Sequence, residues 1–591
     1  MPFLTPWFAL LPHGLPWVAL GTCLLILAGW LVSILIAWRR GGSCFWILFP
    51  LTHPLALLND LIRWRDKAWM APSFYLLGMI LWAWGGYRSH QHEFGHMHRI
   101  LAQLKYEAQP IRAPDLARVS PDPERNRWDH PYLKPLAEAA SGEQDAAKVQ
   151  ESLDQFYGAY QRPQSRTELA EDPADRTKMP TSFYQPFLKY GRLAADLQLS
   201  QTEPEQYQSV TLPQDMASSV AQVAPWVERL KKDTPQLAEA LRRPENHYPY
   251  AWEKGFAMLL PHLSTLRNMA TAHAIKTIHH AILGEAEAAR QSTLLGFELC
   301  ATQSMDLIIS RLVQAAMLQV TLEGMHAALT KHLWDAPTWE AMDQQLQRFE
   351  FLDSAANCIR SERAFGQSSI EPIIQGGFSQ SNQALAQLTG SDQASKSLSA
   401  NTWLVDQVIS PFSQAFLCKQ WRLCLEVYAT MIRDLEQSSL RAASGAWVKA
   451  RVHWDQESYR SKGIFAQLLL PALNQFQDSL FKTQSLIHLT RTCIQLELIY
   501  LKQGQYPERL AALNLEDYPG MGLDPMTGKP LPYQSLDQGL GFELYSFGLN
   551  GEDDGGFPQD QTSAKASQSG DDLLIRVAPR EMQPPRFILR P

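Results

Sequence analysis

The chain has 591 residues, 45% of them hydrophobic and 19% charged, with 38 prolines and a formal net charge of −7. That length exceeds what one core supports and points to about three to five structural units. The apolar content excludes a wholly disordered chain, and the acidic balance, with no long basic run, gives no reason to expect nucleic acid as a partner. Seven cysteines, none in a CxxC pair, are too few for a disulfide scaffold.

Leu15 to Trp38 is an uncharged run of 24 residues, longer than the roughly 20 needed to cross a bilayer, and it predicts a transmembrane helix. A cleaved signal peptide would need a basic start and a small-residue cleavage site. The first 14 residues hold no lysine or arginine, and Arg39-Arg40 stands where that site would lie. Met70 to Tyr87 predicts a second span, with tryptophans suited to the interface. Cys44 to Leu58 is apolar but short, and it holds Pro50 and Pro54, so an interfacial or re-entrant path is expected. Arg39, Arg40, Arg63, Arg65 and Lys67 place the intervening loop in the cytoplasm and residues 88–591 outside it. The expected address is therefore the inner membrane of a bacterium, with the bulk of the chain extracytoplasmic.

Just after this anchor (1–88) comes His90-Gln91-His92-Glu93-Phe94-Gly95-His96-Met97-His98. His92, Glu93 and His96 satisfy HExxH, in which two imidazoles one helical turn apart bind zinc and the glutamate activates water. Taken alone, the segment resembles a zincin. Arg99 and Ala102 stand where the metzincin extension needs glycine and histidine, and Glu107 or Glu124 would have to serve as third ligand. A solvated helix start is the stronger reading.

Residues 89–248 are polar and proline-punctuated, and they predict short helices joined by long loops. From 249 to 504 the pattern changes. Leu259, Leu263, Leu266, Met269, His273, Ile278 and Ile282 recur at helical steps, and Gly284 follows as a stop. A second stripe runs from Leu307 to Val320. Asp335 before Pro337 predicts a helix cap, and further helices fit Phe412 to Leu435 and Leu473 to Lys502, ending at Gly504. The reading is a large α-helical domain, compatible with a solenoid but without a strict 34-residue repeat. Cys300, Cys358, Cys418, Cys424 and Cys493 fall on its apolar stripes and predict buried thiols, although one disulfide is open outside the cytoplasm. His273, His279, His280, His326 and His488 predict packed histidines.

The C-terminal region (505–580, followed by a tail at 581–591) carries GQYPERL, then GLDPMTGKPLPY, then GFELYSFGLNGEDDGG, then DDLLIRV. Tyr506-Pro507 turns out of a helix, Asp524-Pro525 and Gly528 predict a turn, and Leu531 to Tyr533 with Phe542 to Tyr545 predict a hairpin. Asn550, Glu552, Asp553 and Asp554 then fall among four glycines, a donor set suited to a hard cation such as calcium; EF-hand spacing is absent.

In these motifs the sequence resembles the C-terminal part of type II secretion major pseudopilins, over roughly residues 495–575. The resemblance implies a structural calcium site using carbonyls around Ser546 together with Asn550, Asp553 and Asp572. Asn550 stands where the family has an acidic residue, residues 557–570 are a long insertion, and no prepilin cleavage motif is present. The wider order of anchor, proline-rich segment, helices with DLIISRLV and SERAF, and acidic loop resembles an uncharacterised family of bacterial membrane-anchored helical proteins. The sequence thus favours a mainly α, non-enzymatic envelope scaffold with a calcium-stabilised end and an unidentified protein partner. The alternative is a membrane-tethered zinc metallopeptidase.

Overall fold

A computed structural model of the chain describes residues 70–107, 109–116, 122–141, 153, 156–160, 208–210, 212–252, 258–302, 307–351, 354–375, 402–437, 464–513, 521–553, 573–577 and 587–589. The expected first span, Leu15 to Trp38, and the Cys44 to Leu58 stretch lie outside them. In chain order the elements are α1 (Met70–Tyr106), α2 (Lys134–Ser141), β1 (Gln208–Val210), α3 (Leu212–Leu241), α4 (Pro261–Leu283), α5 (Ala286–Ala301), α6 (Ile308–Thr330), α7 (Ala336–Leu346), α8 (Ala355–Gln375), α9 (Thr402–Gln437), α10 (Ile464–Gln503), β2 (Tyr533–Leu536), β3 (Gly541–Ser546), β4 (Leu573–Val577) and β5 (Phe587–Leu589). The protein is mainly helical, as its periodicity predicts.

No helix among the described residues is long and apolar enough to cross a membrane. The expected second span, Met70 to Tyr87, is the first half of α1. This helix has 37 residues, is about 55 Å long, and continues through the histidine segment.

The chain divides into two compact units. One comprises Met1–Ala113, Arg363–Ala429 and Gln456–Leu470; the other comprises Pro114–Glu362, Thr430–Asp455 and Pro471–Pro591. In the larger unit α4 packs on both α5 and α6, and α5 on α6. Gly324 of α6 makes that approach close: a Cβ there would sit 3.2 Å from the Ala274 carbonyl oxygen on α4. Local signals end these helices where the sequence places them. Gly284 takes the left-handed conformation (φ 75°) beyond α4, and the Asp335 side chain accepts from the Thr338 amide at 3.1 Å to open α7. The two short segments DLIISRLV and SERAF meet structurally. Glu362 accepts from the Ile308 amide at the start of α6 (3.2 Å), and buried Arg311 lies over the Phe351 ring at 4.1 Å while donating to the Glu350 carbonyl at 2.7 Å.

One helix departs from the sequence reading. α3 runs for 30 residues with Pro225 and Pro235 inside it, where prolines predict breaks. Val223, Trp226, Val227, Leu230, Leu237 and Leu241 are all buried and recur at helical spacing, so burial of that stripe outweighs the missing proline donors.

In the smaller unit, Gly366 of α8 faces Trp421 of α9, whose ring would lie 2.6 Å from a Cβ at that position. The indole donates to Gln367 Oε1 at 2.6 Å. The five described cysteines are all buried and form no disulfide, and burial raises the thiols of Cys300 and Cys418 to about 12. The histidines singled out in the sequence are buried as well. So is His262, which sits 3.6 Å from the Tyr248 ring between centroids and 5.5 Å from Trp128. Both ring nitrogens of His262 and of His273 lack a hydrogen-bond partner.

β2, β3 and β4 form one antiparallel sheet and β1 pairs with β5. The expected hairpin forms with its first strand displaced: Tyr533 pairs with Leu544, and Leu536 with Gly541. Leu531 instead bonds Gly522.

Candidate functional site

The C-terminal subdomain hangs on two buried carboxylates. Glu497 of α10, fully buried, accepts from His332 Nδ1 at 2.9 Å and from the Tyr506 hydroxyl at 2.6 Å. Tyr500 stacks on both rings, at 4.9 Å from His332 and 4.6 Å from Tyr506. The Tyr506-Pro507 exit from the helix is therefore an anchor as well as a turn. The tyrosine folds back to lock the segment beyond Gly504 against the end of α6.

The second carboxylate is Asp524. The sequence marks it as a turn residue, and the turn is present: the Gly528 amide donates to the Asp524 carbonyl and the Asp524 amide to that of Lys529, both at 2.8 Å. The side chain does more. Its Oδ1 accepts from the Met526 amide (3.0 Å), the Thr527 amide (2.8 Å) and the Thr527 hydroxyl (3.0 Å). Its Oδ2 accepts from the Ser546 hydroxyl (2.5 Å) and the Phe547 amide (3.1 Å). Five donors satisfy a wholly buried carboxylate and tie the turn to the end of β3. The same turn docks on α10 through His488 Nδ1 to the Leu523 carbonyl (3.0 Å) and the Gly522 amide to the Thr492 hydroxyl (3.2 Å).

This arrangement refines the expected calcium set. The Ser546 hydroxyl is buried and committed to Asp524, which leaves its carbonyl as the group a cation could use. Asn550 and Asp553 are exposed on the following loop, where Gly548 and Gly551 have φ of 63° and 69°. Asn550 Oδ1 accepts from the Glu552 amide (2.9 Å) and Asp553 Oδ1 from the Tyr545 hydroxyl (3.0 Å). Asp554 and Asp572 lie outside the described residues. Leu573, the residue after Asp572 in the sequence, pairs with Ser546. Among the described residues no group of three or more histidine, cysteine, aspartate or glutamate side chains is gathered as a metal would require.

In the histidine segment, the residues sit on α1 with distinct surroundings. His92 and His96 lie together, ring centroids 4.6 Å apart, and His90 and His98 flank Phe94 at 5.3 and 4.2 Å. Glu93 borders the pair, its Oε1 3.8 Å from His92 Nδ1. It is 1% exposed and accepts from Arg422 Nε of α9 at 3.0 Å, while the same guanidinium reaches Glu426 at 2.6 Å. A peptidase base must face the metal-bound water, and here the carboxylate is engaged by a guanidinium. Glu107 bonds Gln103 and Gln109, not the imidazoles. Partial burial and the charge of Arg99 hold His96 below its ordinary value.

α1 also presents Leu77, Ile80, Trp84 and Tyr87 at 47 to 57% exposure. Spacings of three and four put them on one stripe, opposite buried Gly85, Ser89, Glu93 and Met97. Arg88 lies over the Trp84 ring at 5.5 Å. Neither Arg422 nor Asp524's reach to Ser546 was readable in advance, since the partners are 329 and 22 residues apart. Comparison with protein-family models, with curated proteins and with solved structures gives no match to this chain.

Proposed function

We propose that this chain is a membrane-anchored, non-enzymatic envelope protein of a bacterium, whose helical units bind a protein partner and whose C-terminal loop takes a structural calcium ion. The observation that carries the reading is the exposed stripe of α1. Four large apolar side chains in water are costly, at about 25 cal/mol for each Å² left uncovered, and hydrocarbon would cover them. Trp84, Tyr87 and Arg88 then suit the headgroup boundary. The non-enzymatic part draws on Glu93, which the rival zinc peptidase would need released from Arg422. A reporter active only outside the cytoplasm, fused after Pro591, is expected to be active. Activity of a cytoplasm-only reporter at that point would overturn both the orientation and the calcium reading.

The calcium ion draws on Asn550, Asp553, the Ser546 carbonyl and Asp572, which precedes β4 in the sequence. Glycine turns at 548 and 551 leave carbonyls able to point inward, as hard cations require. Binding to the folded state alone stabilises by mass action, about 2.7 kcal/mol at a hundredfold excess over the dissociation constant. Chelation should therefore lower the melting temperature of the full chain, and Asp572→Ala or Asp553→Ala should remove that response. An unchanged melting curve with chelator and with added calcium would reduce the loop to a solvated turn.

A further inference from the structure

We infer that His92 and His96 form a two-imidazole site for a divalent transition-metal ion, copper(II) above all, on α1. The two side chains stand one helical turn apart with ring centroids 4.6 Å from one another, a spacing from which two nitrogens can reach one ion. The His92 side chain is 47% exposed. The helix surface between them is open: a Cβ at Gly95 would meet nothing within 4 Å, leaving room for water to fill the remaining coordination positions. Glu93 borders the pair, its Oε1 3.8 Å from His92 Nδ1, while Arg422 donates to its Oε2 at 3.0 Å. With that carboxylate engaged by Arg422, the site binds a metal without a released general base, and it stands independently of the membrane reading.

The donor set selects the ion. Imidazole nitrogen suits copper, nickel and zinc over calcium and magnesium, and with only two protein ligands the divalent order places copper(II) first. The neighbouring cation Arg99 opposes any metal electrostatically, so the bond must come from the nitrogens rather than from charge.

Copper(II) titration of the purified full-length chain, followed by calorimetry and by electron paramagnetic resonance, tests this. One equivalent should bind with nitrogen hyperfine structure, and His92→Gln or His96→Gln should each weaken it at least tenfold. His90→Gln with His98→Gln removes the two histidines that lie against Phe94 and should leave binding unchanged. Arg99→Gln should tighten it. The inference is overturned if the wild-type chain binds no copper, if binding persists in His92→Gln/His96→Gln, or if it disappears in His90→Gln/His98→Gln.

Discussion

Between pH 7 and pH 5 the chain should lose roughly 6 kcal/mol of stability through three histidines. Burial holds His262 and His273 at about 3, with Lys276 adding to the shift at His273, and holds His326 at about 4, each from an ordinary value of 6.5. The sign follows from which state takes up protons. A folded value below the unfolded one means that the unfolded chain binds more protons once pH drops under 6.5, so the stabilisation is complete above that point and is lost as pH falls towards the folded values. At pH 5 each residue contributes about 2 kcal/mol of loss, and a total near 6 is comparable to the whole stability of an ordinary domain. Denaturant titrations across pH 4.5–7.5, read by tryptophan fluorescence, should show this slope. His273→Gln and His326→Gln should each remove about one proton from it, close to 1.4 kcal/mol per pH unit. Because the slope is separable from absolute stability, a destabilised variant still reports. A slope that neither variant alters would show these imidazoles to be protonated in the fold.

Asp524→Ala should cost about 3–5 kcal/mol, since it strands several buried donors, among them the Ser546 hydroxyl and the Phe547 amide, in a place water does not reach. Asp524→Asn keeps the shape and one accepting oxygen but presents an NH2 group to donors, and it should fall between alanine and wild type. The loss should appear in hydrogen exchange at β2, β3 and the 521–531 turn, ahead of α4 to α6. Equal exchange in Asp524→Ala and wild type would mean that the hairpin is held by its apolar face alone.

These two effects differ in how far the sequence foretold them. Asp335, Gly284 and Gly504 act on the next few residues, so their meaning is local and legible. The hairpin was legible for the same reason, although its first strand, Tyr533–Leu536, lies further along the chain than expected because Leu531 is claimed by Gly522. α3 was hidden by Pro225 and Pro235: punctuation is visible in one segment, whereas the burial that overrides it depends on what packs opposite. Glu93 shows the same limit at the candidate site. HExxH specifies spacing, but whether the glutamate serves a metal or a guanidinium is decided by α9, more than three hundred residues later.

The buried thiols carry a practical consequence. A maleimide reacts poorly with a covered sulfur, so each of the five described cysteines becomes reactive only when its surroundings open. Cys418 and Cys424 belong to the smaller unit, and Cys300, Cys358 and Cys493 to the larger one. The native chain thus contains its own set of clocks, and the order in which these sulfurs are alkylated would time the breathing of each unit with no residue added or removed.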